Sequence, residues 1–317
     1  MHIQRGAWAE INLDAIAHNV QMAKANLKPT TKLCAVVKAD AYGHGAVRVA
    51  QEAARNGADF FAVALLQEGV KLREAGIETP ILVLGSMLPE VAEICVRYDI
   101  SHAVFDEERL YALNAAALKL HTKAKIHIKI DTGMHRIGVH VRDAGRFAKL
   151  AASLPGIYIE GVFSHFATAD ADDKQYAAYQ FERFQEALRL IEAEGVHIPI
   201  RHIANSAALT ELQEYQLDMV RQGITLYVLH PAHMIDCYKD FEPVRTVKTQ
   251  VAFVKTLPPG ETIGYGRTYT LTRPSVIATV PIGYADGVSR RLSNRGYMLV
   301  NGQKAPIIGR VCMDQTM

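Results

Sequence analysis

Eight short apolar runs, each followed by a stretch with helical spacing, constrain this chain more than any other feature. They lie at residues 33–37, 60–65, 81–84, 103–105, 126–130, 158–163, 200–204 and 217–220, the fourth and eighth being short and weakly marked. Strands that are apolar at consecutive positions are covered on both faces, and strands alternating with helices give a parallel sheet. Within residues 172–195, Ala177, Phe181, Phe184, Leu188 and Ile191 recur at steps of three and four, the period of an amphipathic helix. Gly57, Gly76 and Gly195 close three such patterns, where a glycine accepts the left-handed conformation. Eight units in roughly 200 residues fit a (β/α)8 TIM-type barrel better than an open doubly wound sheet. No G-x-G-x-x-G follows an early strand, which weakens the dinucleotide-binding alternative.

After about residue 240 the texture changes. Residues 246–257, 275–281, 297–300 and 304–312 are β-rich, with turns at Pro258-Pro259-Gly260 and Asn301-Gly302. Asn-Gly between two apolar runs is a strong hairpin signal. Residues 13–238 are therefore assigned to the barrel and residues 239–317 to a β-rich domain, which the strand within residues 1–12 is expected to join. The sequence stops at Met317 just after a strand-like run, and an open strand edge is an aggregation liability. The β domain is accordingly read as incomplete. With 317 residues the length suits two domains of about 150 each. A composition of 49% hydrophobic and 21% charged residues excludes a disordered chain. A net charge of +2 gives no reason to expect a nucleic-acid partner. Cys34, Cys95, Cys237 and Cys312 lie far apart and form neither a disulfide framework nor a zinc site, so no metal is expected. The segment from Met1 to Gly6 runs straight into a patterned stretch and reads as no signal peptide. No apolar run approaches the roughly 18 residues that span a bilayer. A cytoplasmic enzyme, with no membrane partner, is expected.

Barrel enzymes carry their chemistry at the carboxyl ends of the strands. The first run leads directly into Lys38, followed by Ala39-Asp40-Ala41-Tyr42-Gly43-His44-Gly45. Alone, such a lysine more often marks a strand end. Buried at a barrel mouth it would have a lowered pKa and an amine free to form a Schiff base. Glycines on both sides of His44 suggest backbone packed close to something bulky. Lys129 and Arg136, His165, Asn205-Ser206 and Arg221-Gln222-Gly223 mark other strand ends. Taken singly, His165 reads as a satisfied core histidine. Ser206 and Gly223 follow the seventh and eighth strands, the usual phosphate-binding corner of this architecture. A lysine, a phosphate corner and several convergent cations on one rim suit a phosphorylated carbonyl cofactor.

The run Ala35-Val36-Val37-Lys38-Ala39-Asp40-Ala41-Tyr42-Gly43-His44-Gly45 resembles the pyridoxal-phosphate attachment motif of bacterial alanine racemases. The resemblance extends over essentially the whole chain, through residues 129–138, 164–170, 202–207, 264–266, 281–287 and 309–315. It implies an amino-terminal barrel, a carboxyl-terminal β domain and pyridoxal 5'-phosphate as cofactor. It further implies interconversion of L- and D-alanine by two bases, with D-alanine supplied for peptidoglycan. By resemblance, Lys38 holds the cofactor and serves as one base, while Tyr265 is the other, on the opposite face of the substrate Cα. A tyrosine with its ordinary pKa near 10 needs cationic or hydrogen-bonding neighbours to act so. His202 is expected to hydrogen-bond Tyr265, and Arg136 to bind the substrate carboxylate, held by a Lys129 that is often carboxylated in this family. Tyr42, Ser206 and the amides of Gly223 and Ile224 would bind the phosphate, with His165 at the cofactor ring and Asn205 beside it. Met313, between Cys312 and Asp314, would border the substrate pocket, with Tyr284 in support. Arg221 would face the pyridine nitrogen; a permanent cation cannot protonate it, so the ring stays a weaker electron sink and transamination is suppressed.

Two positions depart from the family pattern: Gln222 stands where an apolar residue is usual, and Val228 where glycine is common. The resemblance also implies a homodimer in which each β domain covers the partner's barrel mouth, two identical sites per pair. Three other readings stay open. A barrel amino-acid decarboxylase is opposed by Arg221, where a carboxylate would be needed. A cofactor carrier without turnover has no use for Tyr265. A racemase of serine or another amino acid differs by a substituent worth about 1–3 kcal/mol in the pocket.

Overall fold

The computed structural model describes residues 6–228 and 239–317. Residues 1–5 and Cys237 lie outside the described residues, and with them most of the segment read for a signal peptide. The chain divides into two units, Asn12–Val244 and a second made of the segment up to Ile11 with Arg245–Met317.

The first unit is built on eight parallel strands: β2 (Lys32–Val36), β3 (Phe60–Val63), β4 (Ile81–Val83), β5 (Ser101–Val104), β6 (Ala124–Asp131), β8 (Ile157–Phe163), β9 (Ile200–His202) and β10 (Met219–Gln222). They run in the order β10-β2-β3-β4-β5-β6-β8-β9, with the two-residue β7 (Val139–His140) beside β6. The ring is closed by the Asp218 amide donating to the Arg201 carbonyl and the Arg221 amide to that of Ala204, each at 3.1 Å. All eight expected strands are present, including the two weakest. The interior packs Cys34, Val36, Phe60, Ala62, Leu82, Ile200 and Met219. These side chains alternate along their strands, so both faces are dry, as the continuous apolar runs require.

Helices cover the outside, among them α1 (Leu13–Ala25), α3 (Ala46–Arg55), α4 (Leu66–Glu74), α5 (Ala92–Arg97), α6 (Glu107–Lys119), α7 (Ala144–Ser153) and α8 (Gln175–Ala193). Asn12 caps α1 by accepting from the amides of Asp14 and Ala15. Gly57, Gly76 and Gly195 have φ of 101°, 81° and 74°, the left-handed C′ conformation. The buried face of α8 differs from the expected one. Ala177, Gln180, Phe184, Ala187 and Ile191 are buried, whereas Phe181 and Leu188 are only half-buried. Phe181 instead stacks on Tyr215 at 4.2 Å.

The boundary between the units falls after Val244, some residues later than the pattern placed it. Phe241 and Val244 are buried, and Asn19 of α1 clips the segment down. Its amide nitrogen donates to the carbonyls of Leu226 (3.0 Å) and Glu242 (2.8 Å), and its oxygen accepts from the Glu242 amide (2.8 Å). Asn19→Ala would strand an amide and two carbonyls in the interior. A loss of about 3 kcal/mol is expected, read as a lower urea midpoint with an unchanged slope.

In the second unit β1 (Ala7–Ile11) pairs antiparallel with β11 (Arg245–Thr249), so the early strand joins the β-rich part. β12 (Phe253–Leu257) pairs with β15 (Ser275–Thr279), β13 (Thr262–Ile263) with β14 (Tyr269–Thr270), and β16 (Tyr297–Val300) with β17 (Gln303–Pro306). The run expected over residues 246–257 is thus two strands of different sheets, and the one expected over 304–312 ends at Pro306. Asn301 and Gly302 join β16 to β17 with φ of 50° and 78°, the two positive values that a tight hairpin turn demands.

Candidate active site

The carboxyl ends of the barrel strands gather the polar residues. Beyond β2 the chain enters α2 (Lys38–Gly43), where Ala39, Asp40, Ala41 and Tyr42 all have φ between 51° and 55°. This is a left-handed turn, costing about 1–2 kcal/mol at each non-glycine residue. Several bonds hold it. The Ala39 amide donates to Glu68 Oε1 (2.6 Å), the Ala46 amide to Asp40 Oδ1 (3.0 Å), and the Gly45 amide to the Asp40 carbonyl (2.9 Å). Tyr42 packs on Tyr227 at 5.0 Å, and the Tyr227 hydroxyl donates to the Val36 carbonyl. The turn doubles the chain back so that Lys38 Nζ lies 5.9 Å from the Tyr42 ring. Strain of this kind is held where function needs a fixed shape. Both glycines beside His44 take up left-handed backbone, and Gly45 does not show the close packing expected from the sequence. Gly43 and Gly45 have φ of 80° and 87°, and a Cβ on Gly45 would meet nothing within 4 Å.

The electrostatics of the rim are one-sided. Burial lowers the Lys38 pKa, with Arg136 and Arg221 adding to the effect and Glu68 opposing it. Lys129, in β6, is buried over the Phe163 ring at 4.7 Å. Its amine is pushed well below the ordinary lysine range by burial, then by Arg221 and Arg136. Arg136 lies in the loop after β6 and is exposed. His165 is held well below its usual value by burial and by the cations Arg221, Lys129, Arg136 and Lys38. Two arginines and two lysines with so little opposing charge form a site for an anion, and a lysine whose pKa is lowered is more readily a nucleophile.

Arg221, in β10, is buried and makes no ion pair among the described residues. Its guanidinium is held by His202 Nδ1 (2.7 Å), the Ser164 carbonyl (2.9 Å), His165 Nδ1 (3.0 Å) and the Ile203 carbonyl (3.1 Å). Burial pushes it down to about 10, which leaves it cationic at neutral pH. Beyond it, the Gly223 amide donates to Ser206 Oγ at 2.8 Å. A Cβ on Gly223 would sit 3.0 Å from Tyr42 Oη and 3.7 Å from Ser206 Oγ. The missing side chain leaves a polar cradle between two hydroxyls, followed by the exposed Ile224 at the start of a 3-10 turn (Ile224–Tyr227). Hydroxyls and turn amides are the donors that phosphate oxygens accept from. Asn205 caps α9 (Ser206–Glu211) by accepting from the Ala208 amide at 3.1 Å. A lysine of lowered pKa, a cation on β10 and this cradle on neighbouring strands fit a phosphorylated aldehyde.

Residues 11–231 match the family described as alanine racemase, N-terminal domain, and residues 244–317 match alanine racemase, C-terminal domain. The chain belongs to the alanine racemase family. It is 46% identical over 313 residues to the alanine racemase of Desulfovibrio desulfuricans, covering 99% of this chain and 84% of that protein. It is 48% identical over 315 residues to that of Halothermothrix orenii, covering 99% and 83%. Among solved structures, alanine racemase of Clostridium difficile 630 superposes with a TM-score of 0.93 at 39% identity, covering 99% of this chain and 83% of that one. The alanine racemase of Bacillus anthracis with bound L-Ala-P gives 0.92 at 39% identity, covering 100% and 82%.

His202 is fully buried within the barrel, its Nδ1 engaged with Arg221 and its Nε2 with His127 at 2.9 Å. Phe163 stacks on its face at 4.9 Å. Gln222 is fully buried and donates to the Asn19 carbonyl at 3.2 Å, toward α1 rather than the rim. Val228 has φ of 53°, a conformation that suits the glycine common there. In the β-rich unit Tyr265 is 72% exposed and Met313 55% exposed, while Tyr284 carries Arg290 over its ring at 5.7 Å. Pattern reading missed Gln180, which accepts from the Ala167 amide (2.8 Å) and donates to the His165 carbonyl (3.1 Å). It also missed Tyr227, His127 and Glu160. The available signal for Gln180 and His127 was a polar residue inside an otherwise apolar face.

Proposed function

We propose that this chain interconverts L- and D-alanine with pyridoxal 5'-phosphate held at the barrel rim by Lys38. The observation that carries the reading is the Lys38 amine, lowered in pKa, on the left-handed turn that also sets Tyr42 toward the Ser206–Gly223 cradle. When bound, the cofactor withdraws electrons from the substrate and so acidifies its Cα–H.

The chain's own groups do the rest. Tyr42, Ser206 and the amides of Gly223 and Ile224 bind phosphate oxygens. Arg221 would meet the ring nitrogen as a cation, with His165 and Asn205 beside the ring. Arg136 binds the substrate carboxylate, and a carboxylated Lys129 supplies the anion that orients it. Lys38 takes or returns the Cα proton on one face. Tyr265, with Met313 and Tyr284 around it, does so on the other. Two bases are needed because a single one returns the proton to the face it came from. Tyr265 and its neighbours are contributed by the partner chain of a homodimer, and the D-alanine serves peptidoglycan synthesis in the cytoplasm. No described helix is long and apolar enough to cross a membrane.

The test is an assay of purified protein with added cofactor, on L-alanine and L-serine in parallel, followed by chiral chromatography. Enantiomers have equal free energy, so L-alanine should approach an equimolar mixture, and faster than L-serine. Folded, cofactor-loaded protein that leaves L-alanine unchanged would overturn the reading. Faster D-serine formation would instead favour the serine alternative.

A further inference from the structure

Among the described residues the cation on β10 has no directly bonded carboxylate, yet it is buried in a barrel lined with apolar side chains. A buried charge of this kind is costly unless compensated. A continuous line of side chains leads from it down the barrel. Arg221 Nη1 meets His202 Nδ1 at 2.7 Å, His202 Nε2 meets His127 Nδ1 at 2.9 Å, and His127 Nε2 meets Glu160 Oε2 at 3.0 Å. Ser101 Oγ donates to the same carboxylate oxygen. His127 and His202 are both fully buried.

Donor and acceptor rules fix the direction of every bond in this line. A guanidinium has donors only, so His202 Nδ1 accepts and carries no proton. His202 is held well below its usual pKa by burial and by Arg221, so the ring is neutral and its one proton sits on Nε2. That proton is donated to His127 Nδ1, which therefore accepts. The His127 proton is then on Nε2 and points at Glu160. Each ring is the neutral Nε2–H tautomer, and the line runs one way, from cation to carboxylate.

The backbone is shaped for it. The register between β6 and β8 shifts at this level: Ile126 pairs with Ile159 but His127 pairs with Gly161. Glu160 is the extra residue of a bulge, the device that re-aims a side chain within a sheet. Gly161 is required beside it, because a Cβ there would lie 2.4 Å from His127 Nδ1. Burial raises the Glu160 carboxyl, but the bonds from His127 and Ser101, with Lys125 nearby, outweigh it and keep the group anionic.

We propose that Glu160, acting through His127 and His202, is the counter-charge and positioning group of Arg221. The inference deepens the assignment of Arg221 to the cofactor ring and rests on it for its effect on turnover. The hydrogen-bond line itself does not depend on that assignment. Glu160 and His127 touch neither substrate nor cofactor. They orient the guanidinium and fix the tautomers that hold it.

The experiment is nitrogen NMR of the cofactor-loaded protein labelled in histidine, with Glu160→Gln and Glu160→Leu alongside. In the unsubstituted protein, His127 and His202 should both show a protonated Nε2 in slow exchange and a bare Nδ1. Glu160→Gln keeps an acceptor and should preserve this pattern, while kcat falls roughly tenfold and KM for alanine stays unchanged. Glu160→Leu removes the acceptor and should change the His127 ring signals, with a larger fall in kcat. A protonated Nδ1 on either ring of the unsubstituted protein would overturn the directed line, whatever the variants do. An intact line together with kcat unchanged in Glu160→Gln would overturn the counter-charge role. Failure of the cofactor assignment would appear separately, as label on a lysine other than Lys38.

Discussion

Lys38→Ala should lower racemisation from either enantiomer by about 10³-fold or more, since a lost proton-transfer group alone removes about 10²–10⁴. A thousandfold loss corresponds to about 4 kcal/mol of transition-state stabilisation. The expectation follows from where the turn puts the amine. Burial lowers its pKa most, Arg136 and Arg221 add to this and Glu68 opposes it, so the balance shifts toward the neutral form. A lysine at a solvated surface would be protonated and unreactive at the same pH. Initial rates from L-alanine and D-alanine, on protein whose circular dichroism matches the unsubstituted chain, are the measurement. Partial recovery by added methylamine would show that an amine at this place, rather than the stability of the turn, is what was lost. Borohydride treatment of the loaded protein should leave the pyridoxyl label on the Lys38 peptide. Activity within tenfold of the unsubstituted protein, or label elsewhere, would refute the role.

Much of this was legible in the sequence because burial on both faces writes itself as continuous apolar runs. The eight strands, the C′ glycines and the Asn301-Gly302 turn each follow from a rule acting over a few residues. Lys38, Arg221 and Ser206 were found because each stands where an apolar run ends. What stayed hidden depends on three-dimensional pairing. Glu160 lies inside a strand, and nothing local shows that a bulge opposite His127 turns it toward that imidazole. Gln180 was passed over for Phe181 because helical spacing alone allows either residue to face inward, and hydrophobicity chose the wrong one. The left-handed turn was masked by alanines, which carry no hint of positive φ, so the backbone role of Gly45 stayed hidden. The partners of His202, Arg221 and His127, stayed hidden because they come from separate strands and no local pattern brings them together.

The second large effect concerns which chain supplies Tyr265. Mixing Lys38→Ala chains with Tyr265→Ala chains, each inactive alone, should restore activity once subunits have exchanged. A mixed pair carries one site with both lesions and one with neither if the tyrosine serves the partner's barrel. Random pairing of equal amounts makes half the dimers mixed, so recovery should reach roughly a quarter of the unsubstituted specific activity. Tyr265 is 72% exposed, as a residue awaiting a partner's surface would be. The charges of the two units favour such pairing. The segment up to Ile11 with Arg245–Met317 carries eleven Lys and Arg against four Asp and Glu, leaving twenty-four against twenty-nine in Asn12–Val244. In such a pair, opposite net charges of +7 and −5 would attract the β-rich unit of one chain to the barrel of the other, and salt would screen that attraction over about 10 Å at 0.1 M. Association should therefore be faster at low ionic strength, and recovered activity should follow the mixed-dimer fraction seen by native mass spectrometry. Mixed dimers that form but stay inactive would mean that Tyr265 acts on its own barrel.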